Sequence, residues 1–84
     1  MEFPGSGNHF VDQVKMMLAD VFAVDASSIS VELEFGMIPA WDSVGHINLM
    51  LEIESRFRVD IPPEAIAELM SLPKICAWLQ EHAV

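Results

Sequence analysis

One predicted helix start constrains this chain more than any other feature of its sequence. Pro39 breaks the preceding chain, and two residues that commonly cap helices, Asp42 and Ser43, follow it. From Ser43 onward, apolar residues recur at three- and four-residue intervals, which predicts an amphipathic helix over residues 43–57. The N–H groups in the first turn of such a helix have no intrahelical partner, so that an anion is favoured there.

The hydroxyl of Ser43 therefore has two interpretations. It is a suitable attachment point for a phosphate ester at the positive end of a helix, or else Asp42 and Ser43 simply cap the helix. For an Asp-Ser pair taken alone, capping is the commoner situation. The pair by itself does not decide between the two.

The predicted helix has an unusually broad apolar face. At about 100° per residue, seven apolar residues span an arc of about 220°, wider than a helix lying on one core requires. They are Val44, Ile47, Leu49, Met50, Leu51, Ile53 and Phe57. Val44 and Leu51 lie at one edge of the arc. We expect these two residues either to face a partner or to be covered by the long loop that precedes the helix.

The region before this helix is predicted to contain one helix and a long loop. We expect a disordered tail over residues 1–8 and a domain over residues 9–84. The tail is either native or a remnant of expression. The first helix is expected from His9 to Phe22 or Ala23, with Asn8 as its cap.

The connection over residues 24–41 carries too many apolar residues for a floppy loop. Residues 25–28 are expected to form one short helical turn. The alternation from Ile29 to Phe35 would suit a strand. No second run is available to pair with it, and we therefore predict a loop that lies across the bundle, with Ile29 and Phe35 as anchors.

The C-terminal third predicts two further helices. A short one is expected from Glu64 to Glu68 or Leu69, after two prolines that pre-set the backbone. Another should follow Ser71, which caps it, with Pro73 in its first turn. The fold class predicted from these elements is all-α: a four-helix bundle with a long first loop and a short third helix.

Composition excludes several classes of partner and site. Thirteen acidic against four basic residues give a net charge of −9, which disfavours nucleic acid and an anionic membrane surface and favours basic protein patches. One cysteine permits no disulfide framework and fits a reducing, cytoplasmic setting. No apolar run suggests a membrane span, and we expect no signal peptide.

The other chemically active side chains are interpreted as structural. Cys76 falls on an apolar helix face without a neighbouring base, and we expect it to be a buried, inert thiol. His9, His46 and His82 show no metal-ligand spacing, and His46 is expected at the surface. We predict no catalytic residue and no metal site.

Several motifs together resemble the acyl carrier protein family. Asp42-Ser43-Val44 opens a helix that carries acidic residues near its end and is closed by Phe57, and Ile61-Pro62 follows four and five residues later. This spacing is typical of the family, and the resemblance extends over roughly residues 11–82. In the family, the serine at the position of Ser43 carries 4′-phosphopantetheine, whose terminal thiol holds the acyl cargo as a thioester.

The resemblance implies roles for individual residues. Ser43 would be the covalent attachment site, and Asp42 would help a phosphopantetheinyl transferase hold its magnesium ion. The positions that match the family's partner contacts are Val44, Leu51, Glu54 and Ile61. The protein would be a monomeric carrier, not an enzyme, and would deliver fatty-acid- or polyketide-type intermediates to acyl-transferring or acyl-modifying enzymes with basic patches.

The chain also departs from the family pattern. Val44 stands where leucine is usual, and Pro39-Ala40-Trp41 replaces the common Leu-Gly-x before the Asp-Ser pair. These departures bear on the set of partners and not on the modification. An aminoacyl, D-alanyl or peptidyl carrier with the same serine chemistry remains an alternative, as does a helical docking module without a prosthetic group.

Overall fold

The structure is a computed structural model that describes residues 6–83 and side chains from Phe10 onward. Four α-helices and one short 3₁₀ turn form in this range. They are α1 (Ser6–Phe22), the 3₁₀ turn (Ala26–Ser28), α2 (Ser43–Phe57), α3 (Pro63–Glu68) and α4 (Leu72–His82). The predicted all-α bundle of four helices, with a long first loop and a short third helix, is confirmed.

Capping residues that the sequence marks set the ends of α2 and α4. Asp42 Oδ1 accepts a hydrogen bond from the N–H of Gly45 at 2.8 Å, and α2 ends where Arg58 adopts the left-handed conformation. At the start of α4, the hydroxyl of Ser71 accepts a hydrogen bond from the N–H of Lys74 at 3.3 Å. The predicted start and end of α2 and the predicted cap of α4 are therefore confirmed.

The start of α1 differs from the prediction. The helix begins at Ser6 and not at His9, so that Asn8, expected as its cap, lies inside it. Gly7 lowers helix propensity by about 1 kcal/mol but does not terminate a helix, which is why the sequence pattern placed the boundary too late. The rest of the predicted tail, residues 1–5, lies outside the described residues.

The core lies where α1 packs against α4 and α2. Each of these helices buries residues at the three- and four-residue spacing of its apolar stripe. The buried residues that these helices contribute include Val14, Met17, Leu18 and Phe22 from α1, Leu49, Met50 and Ile53 from α2, and Ile75, Cys76 and Leu79 from α4. The apolar stripes predicted from the sequence are therefore the core faces.

The first loop crosses the bundle as predicted, and it has one anchor more than expected. Ile29 and Leu33 are buried, whereas Phe35 is only partly buried. The N–H of Phe35 donates to Met70 O at 2.8 Å, and the N–H of Leu72 donates to Leu33 O at 2.9 Å. This isolated bridge fixes the loop to the junction of α3 and α4 without forming a strand. Leu33 is thus a further anchor, and Phe35 packs against the core from a partly buried position.

The last residues of this loop lie very close to the first turn of α2. The side chain of Trp41 is fully buried in the core. A Cβ atom added to Gly45 would lie 2.0 Å from the carbonyl oxygen of Ala40 and 3.3 Å from the Phe22 ring. The loop and the helix can approach this closely only because residue 45 has no side chain.

We therefore predict that Gly45→Ala destabilises the fold by about 1–3 kcal/mol, because the helix start must move away from a backbone oxygen. Urea unfolding followed by circular dichroism measures this loss as a lower midpoint. The matched control is Ser55→Ala, an exposed position on the same helix, which should change the free energy of unfolding by less than about 0.5 kcal/mol. Equal midpoints for the two variants would contradict the prediction.

Candidate functional site

Ser43 is presented to solvent at the first position of α2. Its side chain is exposed, and the preceding Asp42 is the N-cap. The carboxylate of Asp42 takes up the N–H of Gly45, and its backbone carbonyl accepts from the N–H of His46 at 2.8 Å. The N–H groups of Ser43 and Val44 come before the first carbonyl-bonded turn and have no intrahelical acceptor within reach. The site thus combines an accessible hydroxyl with the positive end of a helix dipole.

The histidine one turn further along is buried, which corrects the expectation that it lies at the surface. The side chain of His46 is 4% exposed. Its Nδ1 accepts a hydrogen bond from Trp41 Nε1–H at 3.0 Å, and its Nε2 lies 2.7 Å from Ile66 O. Both ring nitrogens therefore have partners, which is what permits a polar ring in this position.

One signal in the sequence could have indicated this burial. A charged histidine in the first turns of a helix is opposed by the helix dipole, which favours the neutral ring. A neutral ring is tolerated inside a protein when both nitrogens find hydrogen-bonding partners. Trp41, five residues upstream, is such a partner, but its distance from the His46 ring follows only from the tertiary structure.

An open cleft of about 300 Å³ lies beside Ser43, between the start of α2 and α3. Its walls are mostly apolar, with His46 and the hydroxyl of Ser43 as the polar exceptions. The lining residues are Phe35, Ser43, His46, Ile47, Pro63, Ile66, Ala67 and Met70. A group attached to Ser43 therefore has an apolar surface directly beside it.

A second face of α2 leaves three apolar side chains in solvent. Val44 is 69%, Ile47 49% and Leu51 58% exposed. The long loop does not cover them, so that the first of the two interpretations of the broad apolar arc is favoured. Sequence reasoning selected Val44 and Leu51 and missed Ile47, which lies between them on the same side of the helix.

Glu54 and Ile61, the other two residues matched to partner-contact positions, are less exposed than Val44, Ile47 and Leu51. Ile61 is 6% exposed, so that its side chain lies in the core. Its N–H donates to Glu54 Oε2 at 2.9 Å. Glu54 is partly buried and caps the turn between α2 and α3. Any role of Glu54 toward a partner is therefore combined with a structural one.

The remaining reactive side chain is isolated from the site. Cys76 is buried in α4, and desolvation raises the pKa of its thiol to about 11. Within residues 6–83, His, Cys, Asp and Glu side chains form no cluster that could hold a metal ion. Every helix of this described range is too short or too polar to cross a bilayer.

Comparison with known proteins identifies relatives over most of the chain. The sequence model of a family described as "Phosphopantetheine attachment site" matches residues 12–79. An acyl carrier protein of Rickettsia bellii is 30% identical over 70 residues, which cover 83% of this chain and 86% of the relative. One from Clostridium acetobutylicum is 25% identical over 71 residues, covering 84% and 92%. One from Helicobacter pylori is 21% identical over 71 residues, covering 84% and 91%.

The geometry around Ser43 fits the group that this family model describes. A phosphodiester stays anionic, and the start of α2 offers it the first-turn N–H groups of Ser43 and Val44. The hydroxyl of Ser43 is exposed, so that an enzyme could reach it. The apolar cleft beside it offers a surface to the phosphopantetheine chain. The carboxylate of Asp42 is held by its capping bond to the N–H of Gly45. It therefore does not compete with the phosphodiester for the N–H groups of Ser43 and Val44.

We predict that Cys76 takes no part in the attachment of phosphopantetheine. Because the pKa of its thiol is raised to about 11, the thiolate is scarce below that pH and the folded protein should resist alkylation by iodoacetamide near pH 8. Its reactivity should rise only as the pH approaches 11 or as the protein unfolds. Mass spectrometry after timed alkylation measures this.

The companion variant Cys76→Ala should cost on the order of 1 kcal/mol of stability through lost packing and leave loading intact. Rapid alkylation of the folded protein at pH 8, or a folded Cys76→Ala protein that cannot be loaded, would contradict the prediction.

Proposed function

Because the chain belongs to the acyl carrier protein family, we propose that it carries fatty-acid- or polyketide-type intermediates on a 4′-phosphopantetheine group attached to Ser43. As a family member it is a carrier and not an enzyme, and phosphopantetheine is its prosthetic group. When bound, the group supplies a thiol that holds the acyl chain as a thioester. The observation that carries the proposal is the exposed hydroxyl of Ser43 at the capped start of α2.

Each residue at the helix start has a distinct part in this proposal. When a phosphopantetheinyl transferase loads the protein, the hydroxyl of Ser43 attacks the pyrophosphate of coenzyme A and forms the phosphodiester. The pyrophosphate bond breaks, and the adenosine bisphosphate half of coenzyme A and the hydroxyl proton leave. Asp42 holds the first turn of α2 in place through Oδ1, and its exposed carboxylate is the group that would reach the transferase's magnesium ion. The N–H groups at positions 43 and 44 stabilise the phosphodiester after transfer.

The proposal extends to the partners and the setting. Acyl carrier proteins work with a phosphopantetheinyl transferase and with enzymes that handle acyl groups. For this chain we propose partners with basic patches, because its net charge of −9 steers such surfaces toward it. A reducing, cytoplasmic setting and a monomeric state belong to the same proposal.

The decisive experiment is loading by a promiscuous transferase with coenzyme A and Mg²⁺, read by mass spectrometry. Wild-type protein should gain the mass of one phosphopantetheine group, and Ser43→Ala should keep its helical circular dichroism and gain nothing. Ser55→Ala, which removes an exposed serine from the same helix, is the matched control and should load normally. A mass gain in Ser43→Ala, or none in the wild type, would refute the proposal.

The role of Asp42 is separable within the same assay. Asp42→Asn keeps a side-chain oxygen that can cap α2 but removes the charge, since Asn and Asp are comparable N-caps. We expect unchanged thermal stability together with loading slowed at least about tenfold, a loss of roughly 1.4 kcal/mol in the transition state. Loading at the wild-type rate would limit Asp42 to capping.

We further predict that partner enzymes dock on the exposed apolar face formed by Val44, Ile47 and Leu51. Val44→Asp should lower kcat/KM for an acyl-transferring partner about tenfold, because it places a charge within an apolar contact. The fold should tolerate the change, since an acidic residue in the first turn of a helix is favourable. The matched control is Val31→Asp, an exposed valine of the first loop, which should leave transfer unchanged.

Glu54 requires a milder change than charge reversal. Glu54→Lys removes the acceptor for the Ile61 N–H and would disturb the turn, whereas Glu54→Gln keeps an oxygen in that position. We expect Glu54→Gln to weaken the salt dependence of transfer with little loss of stability. Equal transfer by wild type, Val44→Asp and Glu54→Gln would exclude this face as the docking surface.

A further inference from the structure

His46 joins three separate parts of the chain at one buried ring. It belongs to α2, its Nδ1 is bonded to Trp41 in the first loop, and its Nε2 is bonded to the backbone of Ile66 in α3. The ring of Phe35 meets it edge-on, with centroids 5.8 Å apart and an angle of 88° between the planes. The contacts therefore fix the position of the ring as well as its plane.

The two hydrogen bonds permit a single protonation state of the ring. The indole N–H of Trp41 can only donate, so that Nδ1 of His46 carries no proton. The carbonyl oxygen of Ile66 can only accept, so that Nε2 carries one. His46 is therefore neutral and in the Nε2–H tautomer, and Trp41 selects the tautomer that can donate to α3.

The helix that receives this hydrogen bond depends on such ties. α3 has six residues, and a helix of that length is not stable in isolation. Of its side chains, Ala65 is buried and Ile66 is half-buried. The bond from His46 to Ile66 O adds a directional link between α3 and the start of α2.

The same residues line the cleft beside the attachment serine. Ser43, His46 and Ile66 all contribute to its walls, and His46 is three residues after Ser43, one turn along α2. If α3 moved away from His46, the wall of the cleft that α3 forms would move away from α2, and the cleft would widen. The length of the His46–Ile66 contact thus bears directly on the opening next to Ser43.

We propose that His46 is a positioning residue that tethers α3 to the start of α2 and so sets how far the cleft beside Ser43 opens to the attached arm and its cargo. The consequence for the arm rests on the proposed function. The tether itself is a property of the unmodified protein and is testable without loading.

Two amide variants separate the halves of the bridge. In His46→Gln the side-chain N–H₂ reaches about as far as Nε2 and can still donate to Ile66 O. In His46→Asn the amide is one carbon shorter, reaches only as far as Nδ1, and leaves Ile66 O without its donor. A merely structural effect of losing the ring would be shared by both variants.

Native-state hydrogen exchange of the unmodified protein reads the tether. In His46→Asn the amides of Ile66 and Leu69, which are bonded within α3 and at its end, should exchange about tenfold faster than in the wild type, the scale of one lost hydrogen bond. In His46→Gln they should stay within about threefold. The Leu79 amide in α4 is the internal reference and should not change in either variant. Equal α3 exchange in the two variants, or acceleration that includes Leu79 to the same degree, would overturn the proposal.

Ring-nitrogen NMR of the wild-type protein tests the tether even if a variant fails to fold. The proposal requires an unprotonated Nδ1 and a protonated Nε2 at neutral pH. Observation of the Nδ1–H tautomer or of a charged ring would overturn it.

The loaded protein tests the consequence for the arm. When Ser43 carries phosphopantetheine, a cleft widened by loss of the tether should admit more of the arm, so that its thiol should react several-fold more slowly with Ellman's reagent in His46→Asn than in His46→Gln. Equal thiol rates combined with selective α3 exchange would leave the tether in place and overturn its role toward the arm. Failure of the wild type to load would refute the proposed function, and hydrogen exchange of α3 would then decide the tether by itself.

Discussion

The structure depends on the close contact between the end of the first loop and the first turn of α2. The fully buried indole of Trp41 and the absence of a side chain at Gly45 bring the two backbones together. This contact fixes the direction of α2 and places its first residue at the surface. A long loop can hold a helix start this firmly only because it is anchored further upstream by the buried side chains of Ile29 and Leu33. Their burial offsets the entropy cost of ordering many loop residues.

A rigid base beneath an exposed hydroxyl is what a carrier requires. Under the proposed function, an enzyme that loads Ser43 must find the hydroxyl in one orientation, and flexibility at this point would cost alignment. The capping bond of Asp42 and the hydrogen bonds of the His46 ring both act on the first turns of α2. The helix start is thereby held in place while the side chain of Ser43 stays exposed, and under the proposed function mobility is left to the attached arm.

Local signals made α2 and the cap of α4 predictable from the sequence. Asp42 and Ser71 are capping residues followed by helical periodicity, and such signals act within a few residues. Burial decided the features that were missed. Leu33 is an anchor that the sequence did not indicate, and the ring of His46 turned inward, because their environments are built from chain segments that are distant in sequence. A buried histidine and a surface histidine cannot be distinguished in the sequence until the hydrogen-bond donor and acceptor that flank the ring are known.

Acidic side chains near the end of α2 are engaged within the protein itself. Glu54 is bonded to a backbone N–H, and Glu52 is paired with Arg56, which also contacts Asp20 of α1 at 3.1 Å. Exposed pairs of this kind add little stability, but they neutralise the field close to the helix. Charges on the rest of the surface still act together over about 8 Å at physiological salt, so that under the proposed function the net charge of −9 would steer a basic partner toward the chain. Contact on α2 itself would then rest on the exposed apolar side chains of Val44, Ile47 and Leu51.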